Sequence, residues 1–417
     1  MILPSLLTVL LASSAATAPD DAAVMHAREL LRKTILVDGH NDLPWAIREN
    51  EKAPRDVEAY DLRQPTPGDT DLARLKAGGL GAQFWSVYVP GESKEGYAKV
   101  QLEQIDIARR VIARYPDALE WATSVADIER AKKRGRVASL LGMEGGHAIE
   151  NSLGALRAYY ELGARYMTLT HNVTLDWADA ANAKPAHGGL TKFGEEVVRE
   201  MNRLGMLVDL SHVSVETMHD ALRVSEAPVI FSHSSARAVC DNARNVPDDV
   251  LRRLPANRGV VMVTFVTAFV SQEYSKSRMP LWMEYQKRAT GVTDSSERER
   301  IRKDVFAGAP EIKVTIAQVA DHIDHIRKTA GVDHVGLGGD FDGNDSWPEG
   351  LEDVSRYPYL FAELIRRGWS DGDLEKLAGA NVLRAFRQAE EVAARLQKTR
   401  GPSTATIEQL DGASARD

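Results

Sequence analysis

Cysteine is almost missing from this 417-residue chain: Cys240 is the single one. That excludes an internal disulfide and a thiolate-built zinc site, so any metal centre has to rest on histidine and carboxylates. Eleven histidines make such a centre feasible. Long basic runs are also lacking, and Lys+Arg 52 against Asp+Glu 60 leaves a net charge of -8. This composition argues against a phosphate-tracking surface, so no nucleic-acid partner is expected and the partner should be small or neutral. Internal repeats and low-complexity segments are absent. What is present, 43% hydrophobic and 27% charged residues with only 6% aromatics, describes a globular chain able to bury a sizeable core.

Residues 1–18 read as a signal peptide. Met1 to Ala12 is largely apolar, and the small residues after it end in Ala16-Thr17-Ala18, an A-x-A cleavage pattern. Secretion or delivery to the periplasm is therefore expected, although no Lys or Arg precedes the apolar stretch; a frayed hydrophobic terminus is the blander alternative. Residues 399–417 form a polar tail without an apolar run, so neither a GPI anchor nor a membrane helix is expected there.

Between these ends, residues 19–398 alternate short β-branched runs with longer amphipathic stretches, the pattern of βα units around a parallel sheet. Eight strands are expected, at residues 34–37, 82–89, 137–141, 166–170, 206–210, 228–232, 259–266 and 335–338. Helical patterns such as Tyr97–Arg114, Lys192–Leu204 and Ile316–Thr329 lie between them. Eight units predict a single α/β domain, a (β/α)8 TIM-like barrel, with extra C-terminal helices at Asp353–Arg367 and Asp371–Leu396. Residues 271–313 form a charged insertion too long for an ordinary connection, a lid, an oligomer contact or simply a solvated helix.

Metal-competent residues fall at the C-terminal ends of successive strands, where a barrel gathers its loops into one active-site face. The first strand leads into Asp38-Gly39-His40-Asn41-Asp42, and side chains at i and i+2 of an extended segment point the same way, so His40 and Asp42 can grip one cation. The third leads to Glu144 among glycines, a carboxylate able to bridge two ions, with His147 a structural or supporting residue. The fourth, fifth and sixth each end at a histidine: His171, His212 and His233. One such histidine is ordinarily structural; three beside a His-x-Asp pair and a glycine-flanked glutamate point to a site. The eighth delivers Asp340 and Asp342, of which Asp340 suits chemistry and Asp342, before Gly343, suits a turn. Arg244 offers a planar fork to a carboxylate, with Arg237 a competitor. His322 and His325 mimic a ligand pair but lie in the outer ring and read as surface residues.

Taken together, VDGHNDLPW at 37–45, MEGGH at 143–147, TLTHN at 168–172, DLSHVS at 209–214, FSHSSAR at 231–237, RNVPDD at 244–249 and GGDFDG at 338–343 resemble the renal, or membrane, dipeptidase family of the amidohydrolase superfamily. The resemblance runs in order from about Thr34 to Phe386. It implies an amidohydrolase-type barrel holding two zinc ions per chain, one on His40 and Asp42, the other on His212 and His233, with Glu144 bridging. It further implies that His171 handles substrate, Arg244 binds its carboxylate and Asp340 is the catalytic acid–base, and that the chain forms a homodimer. The expected activity is hydrolysis of free dipeptides by a hydroxide held between the ions, with tolerance of a D-residue at the C-terminal position. A non-peptide amide or lactone substrate is the enzymatic alternative, because a metal cage fixes hydrolysis better than specificity; a non-catalytic binding barrel is the third reading. The GPI signal and paired cysteines of the mammalian membrane enzymes are missing, and residues 271–313 are longer than in them.

Overall fold

A computed structural model describes residues 21–292 and 294–412. The expected leader at residues 1–18 lies outside the described residues. Among the described residues nine parallel strands form the sheet: β1 Leu36–Asn41, β2 Leu80–Tyr88, β3 Leu119–Trp121, β4 Val137–Glu144, β5 Ala164–Thr168, β6 Leu207–Asp209, β7 Ile230–Phe231, β8 Val260–Val263 and β9 Val335–Leu337. Each of β4 to β8 pairs with its successor, β9 pairs with β1, β1 with β2, and β2 with β4, so eight strands close into a barrel. The ninth, β3, pairs with Val137–Ser139 at the start of β4. It was not foreseen because Leu-Glu-Trp is too short to show an apolar period.

A buried cluster containing Val37, Phe84, Leu140, Tyr166, Ile230 and Met262 fills the barrel. Val382, Ala385 and Phe386 from the Asn381–Leu396 helix join it, and Gly379 lies against the Ile35 carbonyl, so this helix packs at the N-terminal ends of the strands. That leaves the opposite, C-terminal ends free to build a site. Among the described residues no helix is long and apolar enough to cross a membrane.

Several boundaries differ from those expected, for physical reasons. The first strand was expected to stop at Val37 but continues through His40 to Asn41, all buried. The polar residues are accepted because their backbone is paired: Asn41 aligns with Trp85, and the Asp340 N–H donates to the His40 carbonyl at 3.1 Å. The run 259–266 is a strand only to Val263, and Thr267–Val270 turns into a short helix. The helix expected at Asp353–Arg367 begins at Tyr357, with Pro358 in its first turn, and Asp371–Leu396 is interrupted by a π-helical stretch at Lys376–Ala380. His322 is not a surface residue. It is fully buried, its Nδ1 accepts the Ala236 N–H at 3.0 Å, and its Nε2 lies 2.9 Å from the Val270 carbonyl. His325 is partly buried and pairs with Asp248 at 2.7 Å.

The charged insertion consists of two helices, Gln272–Ala289 and Ser295–Phe306, joined by Arg288 to Asp304 at 2.6 Å. It is fastened to the loop after β9: the Tyr274 hydroxyl meets Ser346 Oγ at 2.9 Å and Arg302 pairs with Asp345. In the polar tail, Ile407–Asp411 forms a helical turn whose Asp411 carboxylate accepts from the Thr191 hydroxyl and the Lys192 N–H at the start of the Lys192–Leu204 helix.

Candidate metal centre

The ends of β1, β4, β6 and β7, with the loop after β9, bring together every residue singled out as a metal ligand. His40 lies near the end of β1 and Asp42 caps the helix that follows, with Nε2 and Oδ2 3.2 Å apart. Glu144 is the last residue of β4 and presents one oxygen to each side. Its Oε2 is 3.4 Å from His40 Nε2, and its Oε1 is 3.1 Å from His212 Nε2 and 3.5 Å from His233 Nε2. Asp340 Oδ1 is 3.9 Å from His40 Nε2, and His171 Nε2 is 3.7 Å from Glu144 Oε1.

Three overlapping groups in this cluster have donors close enough to hold a cation: His40 with Glu144 and His233, Glu144 with His171 and His212, and His40 with Asp42 and Asp340. Glu144 recurs in two of them, as a bridging carboxylate would. Glu144 Oε1, His212 Nε2 and His233 Nε2 also lie within 3.5 Å of one another, the grouping that the resemblance implies for the second ion.

The donor set fits cations on more than proximity. His40 Nε2 and Asp42 Oδ1 are buried without a hydrogen-bond partner among the described residues, an arrangement that is unfavourable unless something binds them. His212 Nε2 and His233 Nε2 face each other at 2.8 Å, a contact that needs a proton or a cation between the two lone pairs. Each ligand imidazole is also held from behind. His40 Nδ1 meets the Tyr166 hydroxyl at 2.7 Å, His212 Nδ1 meets Asn172 Oδ1 at 3.3 Å, and His233 Nδ1 meets Ser232 Oγ at 2.8 Å. Such partners hold each ring in the orientation that presents Nε2 to the cluster. Tyr166 escaped the sequence reading. Its parity with Thr168 and Thr170 on a strand ending at His171 was the available signal, but an aromatic in a barrel strand reads as core. The ring fits only because residue 142 is glycine, where a Cβ would fall 2.0 Å from the phenol carbon Cζ.

Burial sets the charge states. It drives His171, His212 and His233 well below their ordinary pKa, with the Arg244 guanidinium adding to the effect. Burial lifts Glu144, and His40 opposes that lift. Burial also lifts Asp340 well above the carboxylate range, with Asp42 and Glu144 reinforcing it against the opposing pull of His40. For His40 burial works against protonation, but Tyr166, Glu144 and Asp42 outweigh it and hold the ring well above its usual value. The field that attracts a proton there attracts a metal cation equally.

Arg244 is 2% exposed and stacks over Phe269, with its guanidinium carbon 5.1 Å from the ring centroid. Its Nη2 reaches the His233 carbonyl at 3.4 Å, while Nε and Nη1 have no partner among the described residues. Burial lowers its pKa to about 10, and the carboxylates of Asp340, Glu144 and Asp209 act against that. The competitor Arg237 is already used, donating to the carbonyls of Asn242, Ala243 and Asn245. His147 is structural, bonded to the Val89 carbonyl at 2.8 Å. Asp342 is a turn residue at φ 62, locked to Asp69 by reciprocal backbone-to-carboxylate bonds of 2.8 and 2.9 Å. His212 at φ 70 and Asp340 at φ 68 also sit in the left-handed region, where a non-glycine residue is held only by surrounding structure.

A parallel barrel with imidazole and carboxylate donors converging on its C-terminal rim defines an amidohydrolase-type barrel with a candidate metal centre. The chain belongs to the membrane dipeptidase family (peptidase family M19), whose model matches residues 24–400. It is 44% identical over 372 residues to Dipeptidase 3 of Mus musculus, a match covering 88% of this chain and 66% of that protein, so the chain spans about two thirds of the relative's length. Among solved structures it resembles the probable dipeptidase PvdM of Pseudomonas aeruginosa, with TM-score 0.76, 24% identity, and 89% of this chain and 99% of that one covered. It also resembles the metallopeptidase dipeptidase AC, with TM-score 0.69, 25% identity, and coverage of 85% and 98%.

Proposed function

We propose that this chain is a binuclear zinc dipeptidase that hydrolyses the amide bond of free dipeptides and accepts a D-residue at the C-terminal position. One juxtaposition carries the reading: imidazole and carboxylate donors gathered about Glu144, and beside them a buried guanidinium with two unused donor atoms. Mixed nitrogen and oxygen donors without thiolate suit zinc. His40 and Asp42 would hold one ion and His212 and His233 the other, with one Glu144 oxygen turned to each. Bound there, the pair supplies Lewis-acid polarisation of an amide carbonyl and lowers the pKa of water toward neutrality.

The remaining work falls to the chain's own residues. Arg244 receives the C-terminal carboxylate of the substrate on its planar edge, a charge-assisted pairing in a site that excludes water. The carboxylates of Asp42, Glu144 and Asp340 attract the free amine at the other end, so substrate length is limited to what fits between them. His171, kept neutral by burial, donates its Nε2 proton to the carbonyl oxygen as charge develops there. Asp340, whose basicity is raised, takes a proton from the attacking water at Oδ1 and returns it to the departing amine. Gripping the C-terminal residue by its carboxylate leaves its side chain free to point either way, which supports acceptance of D-residues.

The test is a panel of free dipeptides, with L- and D-residues at the second position, assayed before and after chelation and again after zinc is restored, alongside elemental analysis. Hydrolysis that is lost and regained with two ions per chain is expected. A fully metallated sample that leaves every dipeptide intact would refute the proposal.

A further inference from the structure

Asp209, the last residue of β6, is fully buried and holds no position among the proposed ligands or catalytic groups. Four donors converge on its carboxylate. Oδ1 accepts the backbone N–H groups of Ser232 at 2.8 Å and Ser211 at 3.1 Å, and Oδ2 accepts the hydroxyls of Ser232 at 2.6 Å and Thr168 at 2.5 Å. The same Ser232 hydroxyl lies 2.8 Å from His233 Nδ1.

A serine hydroxyl has one proton to give. With Oδ2 of a carboxylate 2.6 Å away, that proton lies on the Asp209 side, and Ser232 Oγ faces His233 with a lone pair. His233 must then carry its own proton on Nδ1 and leave Nε2 bare. Nε2 is the atom that meets His212 Nε2 at 2.8 Å and Glu144 Oε1 at 3.5 Å, at the heart of the donor cluster. His212 is fixed the same way more simply, because Asn172 Oδ1 can only accept and so calls for a proton on His212 Nδ1.

We propose that Asp209 is a positioning residue for the metal centre: through Ser232 it locks His233 in the tautomer whose Nε2 can bind a cation. The inference rests on the metal-centre reading above and deepens it. Carboxylate–histidine–metal relays usually act by direct contact; here a serine is interposed. The His40 ring is backed differently, by the neutral phenol of Tyr166, so the relay is specific to the His212–His233 side.

Asp209→Asn tests it with almost no change of shape. The two backbone N–H groups hold the amide oxygen at the Oδ1 position, which places the NH2 at Oδ2. Ser232 then accepts from the amide, releases its proton toward His233 Nδ1, and drives the ring to the Nε2–H tautomer. Zinc affinity measured by competition with a chromogenic chelator is expected to fall about 10- to 100-fold for one of two ions per chain, with the other retained. Nitrogen shifts in spectra of the metal-free, histidine-labelled protein should move the His233 proton from Nδ1 to Nε2. Ser232→Ala should show the same one-site loss and Ser232→Thr should restore it, so the test stands even if Asp209→Asn fails to fold. Thr168→Val, which removes a donor to Asp209 without touching the relay, should leave both affinities within a few-fold. Unchanged affinity for both ions in folded Asp209→Asn or Ser232→Ala overturns the proposal while leaving the dipeptidase reading intact. A wild-type chain that binds no ion pair overturns both.

Discussion

Arg244→Lys separates substrate recognition from the chemistry of the cluster. The arginine is buried with Nε and Nη1 unpartnered, and only Nη2 is engaged, by the His233 carbonyl. The unpartnered Nη1 beside Nη2 can offer the paired N–H donors that the two oxygens of a carboxylate accept, and hydrogen bonds to charged groups are worth about 1.5–3 kcal/mol each. Lysine keeps the charge but cannot supply the fork, so one such bond is lost, which corresponds to a roughly 10- to 150-fold fall in kcat/KM for a free dipeptide. The loss should appear in KM, because the carboxylate is gripped equally in ground and transition states. The discriminating substrate is the same dipeptide with its C-terminus amidated. It has no carboxylate to lose, so wild type and Arg244→Lys should hydrolyse it at similar, low efficiency. An equal fall for the free and the amidated dipeptide would refute the clamp and assign Arg244 a purely structural part.

Gly343→Ala should lower kcat by about a hundredfold with little change in melting temperature, since a Cβ there would fall 2.2 Å from Asp42 Oδ2 and 2.8 Å from Asp340 Oδ1, and displacements near 1 Å at reacting groups have effects of that order. The buried His322 has its pKa lowered from 6.5 to about 4 by burial, so the unfolded chain binds a proton that the folded chain refuses. Its stabilisation is complete above pH 6.5 and is lost as pH falls toward 4. Near pH 5 the loss is about 2 kcal/mol, and urea unfolding of His322→Gln should show a correspondingly shallower pH dependence than wild type; parallel curves would contradict the assignment. Cys240 is fully buried with its thiol pushed up to about 11 by burial, so iodoacetamide should label it only after unfolding, and native-state labelling at the unfolded rate would contradict its placement.

Much of this organisation was written in the chain order. Long apolar strands such as β2 and β4 and the strongly amphipathic Lys192–Leu204 helix follow from period alone, and the recurrence of His, Asp or Glu at the ends of six of the eight expected strands located the rim. What period could not reveal were features decided by distant backbone. β1 extends through His40 because Asp340 and Trp85 pair with it from elsewhere in the sequence. His322 sits at a helical spacing from His325 that suggests one exposed face, yet the Val270 carbonyl at the end of a short helix and the Ala236 N–H from a loop draw it inward. The left-handed backbone of His212 and Asp340 has no glycine to announce it. There the surrounding loop enforces the geometry, as expected where precise aiming of a side chain outweighs local backbone preference.

The supporting residues show why such a site is hard to read in full from local patterns. Asp38 and Asp209 each stand near a proposed ligand in the sequence, and each would be an unfavourable buried carboxylate in isolation. Asp38 is stabilised by the N–H groups of His40 at 2.7 Å and Gly339 at 3.2 Å and by the Tyr357 hydroxyl, joining the ligand on β1 to the loop that carries Asp340. Asp209 likewise ties β5, β6 and β7 together through Thr168, Ser211 and Ser232. Each carboxylate therefore spans strands that are neighbours only after the barrel closes. Folding and site assembly are in this sense one event: the hydrogen bonds that make these buried charges tolerable are the ones that aim His40, Asp340 and His233 at a common point.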